Sequence, residues 1–331
     1  MAVHTADTKL PTLGEPGAAQ RLLQRLEWTV IRRLDGLLQG DYRTLMRGSG
    51  IDLADLREYQ PHDDVRHIDW NVTARLAVPH VRVYSEDREM TAWFLLDLSP
   101  SVDFGPPGQT KRDILAGFVA VLSRLLTRHG NRVGAVLHGG VGTNGTASAD
   151  SVLPPRSSRA QVLHLLHQLM PSPAAPAPRT APTGATELHR LLQSAQGALR
   201  RRASVFVVSD FISAPGWEKP LAQLAQRHDV VAVRLLDPLE LALPDIGLVT
   251  LRDPETGEQL QVDTRDKGFR QRFARLAAER EAELRSALAR AGADTLELAT
   301  DDDLLEALVR FMELRGRRPR PTAGMPARRT A

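Results

Sequence analysis

The strongest constraint on the fold is the alternation of short apolar runs with amphipathic segments between residues 92 and 314. The runs at 93–98, 132–138, 204–208 and 230–236 have the length and continuity of buried strands. Apolar spacing of three and four residues predicts helices at 110–128, 159–170, 187–200, 217–227, 267–290 and 301–314. Strands that alternate with helices of this length predict an α/β fold with a doubly wound, mainly parallel sheet.

The remaining patterning divides the chain into four segments. Residues 1–17 are polar and predict a disordered leader. Residues 18–91 combine an amphipathic helix over 18–39 with a charged accessory segment, and the helix suits either core packing or a partner helix. Residues 92–314 form the α/β domain, to which a hairpin around 249–262 and C-terminal helices are added. Residues 315–331 predict a basic, disordered tail.

Charge and composition exclude several classes of protein. Six of the 43 Lys and Arg residues lie at or after Arg315 without any acid, which leaves 37 bases against 40 acids in the first 314 residues. A near-neutral body disfavours a nucleic-acid-binding fold, although the tail alone could bind nucleic acid or an anionic membrane. Zero cysteines exclude disulfides and thiolate chemistry. Without an apolar stretch of about 18 residues or a signal-peptide pattern, we expect no membrane span and a cytoplasmic location.

Oxygen-bearing side chains follow the predicted strands. Asp97, Ser99 and Ser101 come after the first strand, Thr186 precedes a helix, and Asp210 follows the strand at 204–208. Ligands of open α/β sheets bind at the carboxyl ends of the strands, and hard oxygens suit a small octahedral cation such as Mg²⁺. The alternative is structural: the first loop caps the next helix, and Asp210 ends its strand in a turn.

This constellation resembles the metal-ion-dependent adhesion site of von Willebrand factor A domains. The resemblance implies that Asp97, Ser99 and Ser101 form the first ion-binding loop, Thr186 the second and Asp210 the third. Such domains bind a divalent ion, and a carboxylate of the partner often completes its coordination.

The segment upstream is dense in charge and carries two large aromatic residues. Between residues 52 and 75 it holds six acids and three arginines, and its singled-out residues are Arg57, Tyr59, Asp63, Asp64, Arg66, Asp69, Trp70 and Arg75. Arginine and carboxylate side chains could form an ion-pair network that holds the segment on the sheet. The same residues could instead form a partner-docking surface anchored by Tyr59 and Trp70, or a catalytic carboxylate cluster with a metal.

The order of residues over 55–75, followed by Pro79-His80-Val81-Arg82 and Glu86-Asp87-Arg88-Glu89, resembles the bacterial family catalogued as domain of unknown function fifty-eight. The likeness covers about residues 20–314. It implies an accessory segment joined to a von Willebrand A-like domain and an association with MoxR-type AAA+ ATPases.

Together these features predict a non-enzymatic protein-binding module that binds a divalent ion, with Mg²⁺ as the expected ion. The expected partners are a MoxR-type AAA+ ATPase, a client protein that matures with its help, or both. The alternative is a metal-dependent hydrolase that uses Asp63, Asp64 and Asp69.

Overall fold

The apolar runs of the sequence form one central sheet, and the amphipathic segments form helices on both of its faces. The structure is a computed structural model and describes residues 17–34, 55–60, 65, 68, 70–83, 90–106, 108–139, 151–170, 188–254 and 257–317. In chain order, the helices and strands are α1 (Ala18–Leu26), β1 (Asp55–Glu58), α2 (Trp70–Leu76), β2 (His80–Val83), β3 (Thr91–Asp97), α3 (Lys111–Arg128), β4 (Arg132–His138), β5 (Ser151–Arg156), α4 (Arg159–Leu169), α5 (Leu188–Ala198), β6 (Ser204–Ser209), α6 (Glu218–Arg227), β7 (Asp229–Leu236), β8 (Leu248–Arg252), β9 (Gln259–Asp263), α7 (Lys267–Ala291), β10 (Asp294–Ala299) and α8 (Leu304–Arg317).

The central sheet has the strand order β10-β7-β6-β3-β4-β5. All neighbours pair in parallel except β5, which runs antiparallel to β4 at one edge. The predicted α/β class and mainly parallel sheet are therefore confirmed. The predicted hairpin near 249–262 is present as the antiparallel pair β8 and β9.

The order of the strands reverses between β3 and β6. The chain leaves β3 for β4 on one side, and after β5 it returns through α5 to β6 on the other side of β3. The carboxyl ends of β3 and β6 therefore flank a topological switch point, where open α/β sheets bind their ligands.

Alternate residues of β3 and β6 pack into two separate cores. Phe94 of β3 stacks on Phe206 of β6 at 5.4 Å between ring centroids, and Phe118 of α3 meets both rings edge to face. On the opposite face, Trp93 and Leu95 belong to the core that α5 and α6 cover. Since both faces of these strands are buried, the side chains at their carboxyl ends are held at fixed positions.

Helix α1 belongs to the first of these cores. It continues through a π-helical turn at Glu27–Ile31, and Leu22, Leu23 and Ile31 are fully buried with residues of α3 and α4. Glu27 accepts hydrogen bonds from Arg124 of α3 at 2.9 and 3.1 Å. The core-packing interpretation of this helix therefore holds over the described residues 18–34.

Two features at the ends of the chain were not predicted. The charged accessory segment contains the antiparallel strand pair β1 and β2, which its charge-rich sequence does not predict. The boundary of the basic tail was placed too early, because α8 runs on to Arg317. Arg315 is buried and its guanidinium bonds Asp229 at 2.5 Å and Asp294 at 2.9 Å, so it is part of the folded body.

Candidate functional site

The last residue of β3 and the residue after β6 bring two carboxylates to the switch point. Asp97 is 1% exposed and Asp210 is 2% exposed. Leu96 pairs with Val208 in the parallel ladder, which sets Asp97 beside Ser209 and just before Asp210. The hydroxyl of Ser209 donates to Oδ2 of Asp97 at 2.8 Å and joins the two strand ends.

The loop after β3 folds back on the carboxylate that precedes it. The backbone N–H of Ser99 donates to Oδ1 of Asp97 at 3.0 Å, and the hydroxyls of Ser99 and Ser101 are 3.0 Å apart. Gly139, which follows β4, has a φ of +78°, and a Cβ there would lie 3.0 Å from the nitrogen of Ser99. Only glycine suits this close approach, which holds the serine loop against the end of β4.

The capping interpretation of this loop is wrong. Helix α3 is capped by Thr110, whose hydroxyl accepts from the backbone N–H of Asp113, while the Asp113 carboxylate accepts from the backbone N–H of Thr110. This reciprocal capping box satisfies the start of the helix without Asp97 or Ser101. Their burial at the strand end needs another explanation.

In the loop after β6, the carboxylate of Asp210 stabilises a turn, as the structural alternative for this residue predicted. Oδ1 of Asp210 accepts from the backbone N–H of Ile212 at 3.0 Å, and the hydroxyl of Ser209 accepts from the N–H of Phe211 at 2.9 Å. Phe211 has the left-handed φ of 57°, and its ring packs against Trp217. The turn therefore fixes Asp210 and leaves its Oδ2 facing the switch point.

That oxygen contacts a lysine that sequence reasoning missed. Lys111 is the first residue of α3 and is 1% exposed, and its Nζ lies 2.7 Å from Oδ2 of Asp210 and 2.7 Å from Oε1 of Glu240. Only four of the 43 basic residues are lysine, and this one opens a helix, where the macrodipole disfavours a cation. Those two facts were the available signal in the sequence.

The cluster holds more negative than positive charge. Asp210 and Glu240 share the single ammonium of Lys111, while the neighbouring carboxylate of Asp97 accepts from the neutral donors of Ser99 and Ser209. Burial and the charge of Asp210 raise the pKa of Asp97, although hydrogen bonds from Ser99 and Ser209 act to lower it. Burial alone would lower the pKa of Lys111, but the charges of Asp210 and Glu240 outweigh it and raise that pKa. The site therefore attracts cations.

The carboxylate and hydroxyl oxygens at the switch point are the ligand type that a hard divalent ion prefers, but they are few. Among the described residues, no group of three or more His, Cys, Asp or Glu side chains is placed to hold a metal. An ion at the switch point would use carboxylate oxygens of Asp97 and Asp210, the hydroxyls of Ser99 and Ser101, and water. Such a mixed oxygen set with several waters is typical of Mg²⁺.

The remaining predicted residues are divided between described and undescribed parts of the chain. Thr186, Asp63, Asp64, Arg66 and Asp69 lie outside the described residues, as does the side chain of Arg57. Tyr59 is half-buried and its backbone N–H donates to the carbonyl of Pro79. Trp70 is 70% exposed, and Arg75 is also exposed. The ion-pair network, the docking surface and the carboxylate cluster all stay predictions.

Comparison with known proteins identifies relatives along most of the chain. A family model described as "Protein of unknown function DUF58" matches residues 55–283. The "Uncharacterized protein Rv1480" of Mycobacterium tuberculosis (strain H37Rv) is 37% identical over 315 residues, which are 95% of each chain. The "Uncharacterized protein MAV169" of Mycobacterium avium is 35% identical over 165 residues, which are 50% of this chain and 94% of that protein.

The solved structures that resemble this chain are distant from it in both sequence and structure. The conserved hypothetical protein BatB from Bacteroides thetaiotaomicron is 15% identical, with a TM-score of 0.39 over 69% of this chain and 98% of that chain.

None of the helices in the described part of the chain is both long and apolar enough to cross a membrane.

Replacing Ser209 tests whether the hydroxyl that joins the two strand ends is structural. In Ser209→Ala, Oδ2 of Asp97 and the N–H of Phe211 lose a buried partner, so we expect the free energy of unfolding to fall by about 1–3 kcal/mol. Urea denaturation measures the change. The control is Ser123→Ala, since Ser123 is equally buried but makes only a 3.4 Å bond within its own helix. Equal effects of the two substitutions would contradict the assignment.

Proposed function

We propose that this chain, which belongs to the family of proteins of unknown function DUF58, is a non-enzymatic protein-binding module with a divalent-ion site at the switch point of its sheet. The ligands would be Asp97, Ser99, Ser101 and Asp210, together with Thr186, which precedes α5 in the sequence. The observation that carries the proposal is the pair of buried carboxylates at the ends of β3 and β6, of which Asp97 accepts from the hydroxyl of Ser209.

The charge balance favours a cation at this position. Buried carboxylates are costly unless they are paired, and here one ammonium bonds two carboxylates while Asp97 accepts from neutral donors. The structure can remove the excess charge either by holding a proton on Asp97 or by binding a cation. A divalent ion supplies two positive charges, which would balance the two carboxylate charges that Lys111 leaves unmatched.

The position of α5 supports a contribution from Thr186. The backbone N–H of Leu188, two residues further on, donates to the hydroxyl of Ser213 at 2.9 Å. Helix α5 therefore begins against the loop that follows Asp210, at the same edge of the sheet as the two carboxylates. This is the position that the resemblance to von Willebrand A domains requires for the second ion-binding loop.

The hydrogen bonds of the buried serine hydroxyls favour a binding function over a catalytic one. Ser209 is fully buried, and its hydroxyl already bonds both Asp97 and the N–H of Phe211. The hydroxyls of Ser99 and Ser101 bond each other. Because Ser209 bonds a carboxylate and a backbone N–H and neither bond is to a histidine or lysine, it lacks the base that activates a nucleophilic serine.

A partner could reach the site across the adjoining surface. A groove of about 580 Å³ lies beside it and is lined by Phe104, Gly105, Pro238 and Leu239, together with Asp103, Pro106, Gln109, Asp237, Thr300 and Asp301. Its walls are the segments that follow β3, β7 and β10 at the carboxyl edge of the sheet. A carboxylate of the partner would complete the coordination of the ion, and the exposed Trp70 offers a second anchor. A MoxR-type AAA+ ATPase, with or without its client, is the partner that the family resemblance suggests.

Ion binding can be measured directly by isothermal titration with Mg²⁺ and Mn²⁺. We expect the wild-type protein to bind one ion and Asp97→Asn to bind it at least about tenfold more weakly, since one charged ligand is lost. Asparagine keeps the shape of Asp97 and can still bond Ser99 and Ser209. The control Asp103→Asn removes an exposed acid from the same loop and should bind like the wild type. Absence of ion binding by the wild type would contradict the proposal.

Partner binding can be tested with the purified MoxR-type ATPase of the same organism. We expect a complex with the wild-type chain in Mg²⁺, retained by Glu279→Gln, which removes an exposed acid of α7 outside the groove, and lost in Asp97→Asn, as measured by analytical ultracentrifugation. A variant is preferable to a chelator, because a chelator would also remove Mg²⁺ from the nucleotide of the ATPase. A complex that Asp97→Asn leaves intact would show that the ion site has no part in recruitment.

A further inference from the structure

The ammonium of Lys111 lies where a cation of the ion site would bind. Asp210 has one oxygen bonded to the N–H of Ile212, so Oδ2 is the oxygen that remains for an ion. That same oxygen accepts from Nζ of Lys111 at 2.7 Å, and both side chains are 1% exposed. The chain itself therefore supplies the first cation at this carboxylate.

We propose that Lys111 is a built-in competitor of the divalent ion, and that the ion binds Asp210 only after the ammonium has moved from Asp210 onto Glu240 alone. The inference rests on the proposed ion site and adds its regulation. It assigns to Lys111 the role of a positioning and gating residue, and to Glu240 the role of the second acceptor.

The two cations exclude each other by distance. An ion that coordinates Oδ2 of Asp210 lies about 2.1 Å from that oxygen. With the ammonium 2.7 Å from the same oxygen, the two would be within about 5 Å of each other in a site that solvent barely reaches. Repulsion between a divalent and a monovalent cation at this distance is strong at low dielectric, so binding of one weakens binding of the other at Asp210.

Glu240 gives the ammonium a place to remain. Its Oε1 accepts from Lys111 at 2.7 Å, while its Oε2 accepts from the backbone N–H of Asp237 and so fixes the side chain at the turn Pro238–Glu240. The side chain of Glu240 is 17% exposed, whereas that of Asp210 is 1% exposed. A lysine on four flexible methylenes can therefore move toward the surface without losing its charge partner.

The movement would connect the ion to the neighbouring groove. Pro238 and Leu239 of the same turn line that groove, and Phe104, whose ring centroid is 6.0 Å from Nζ of Lys111, lines it from the other side. A shift of the ammonium changes the charge balance at the wall of the groove. Ion binding would in this way prepare the surface that we propose for the partner.

Substitutions of the lysine and of its second acceptor should act in opposite directions. Removal of the competitor in Lys111→Met should tighten Mn²⁺ binding about tenfold or more, because the apparent affinity is reduced by the fraction of molecules in which Asp210 is free. Loss of the alternative acceptor in Glu240→Gln should weaken Mn²⁺ binding, because the ammonium then has only Asp210. Isothermal titration with Mn²⁺ measures both.

Two controls separate direct competition from a general change of charge. Arg112→Met removes the same charge from the neighbouring residue, and Asp103→Asn removes an acid beside the same groove. We expect both to stay within about threefold of the wild type, since neither side chain bonds Asp210. If Arg112→Met tightens binding as much as Lys111→Met does, or if Lys111→Met binds like the wild type, the competition is refuted.

The same titrations show whether a negative result refutes only the competition by Lys111 or the proposed ion site as well. Equal binding by the wild type and Lys111→Met overturns the competition but leaves the site. Binding by Lys111→Met alone supports the competition and overturns ion binding as a function of the wild-type chain. Absence of binding by both overturns the ion site and the inference with it.

A measurement on the unaltered chain covers the case in which Lys111→Met does not fold. The chain has four lysines, so the ¹⁵Nζ resonance of a buried, ion-paired ammonium can be resolved and assigned with Lys111→Arg. We expect the Lys111 resonance to shift on saturation with Mg²⁺ while the other three stay in place. A Lys111 resonance that stays fixed while Mg²⁺ binds would refute the displacement.

Discussion

Burying Asp97 and Asp210 at one edge of the sheet costs free energy, and the loops around them are arranged to offset that cost. Each of the four carboxylate oxygens has a donor: the N–H of Ser99, the hydroxyl of Ser209, the N–H of Ile212 and the ammonium of Lys111. Three of these donors are neutral. They orient the carboxylates without cancelling their charge. The cluster therefore keeps an uncompensated negative charge, which neither a turn nor a helix cap requires.

The topology explains why this negative charge is concentrated at one place. Strands β3 and β6 are neighbours whose connections leave on opposite sides, so no crossover covers the gap between their carboxyl ends. Both strands are buried on two faces, and the rings of Phe94 and Phe206 lock their alignment. Helix α3 carries Lys111 to this gap, and α1 packs against α3 from outside. A rigid scaffold thus presents a charged cluster at an open edge.

The sequence was sufficient for those parts of the site that follow directly from a strand. Asp97 and Asp210 could be predicted because a residue at the end of a buried apolar run must lie at the edge of the sheet. Lys111 and Glu240 could not, because their contact joins residues 129 apart and depends on side-chain conformation. Strand β1 was missed because it has one apolar residue among three charged ones, and β2 because its alternation of polar residues with valine spans only four positions. Burial of Arg315 was hidden by the arginines that follow it.

Anomalous scattering from a crystal grown with Mn²⁺ tests the central claim most directly. We expect one peak between the carboxylates of Asp97 and Asp210, within about 2.5 Å of an oxygen of each residue or of a water that bridges to it. The ammonium of Lys111 should then contact Glu240 and not Asp210. A saturating Mn²⁺ concentration that leaves no peak there, with Lys111 still bonded to Asp210, would contradict the account.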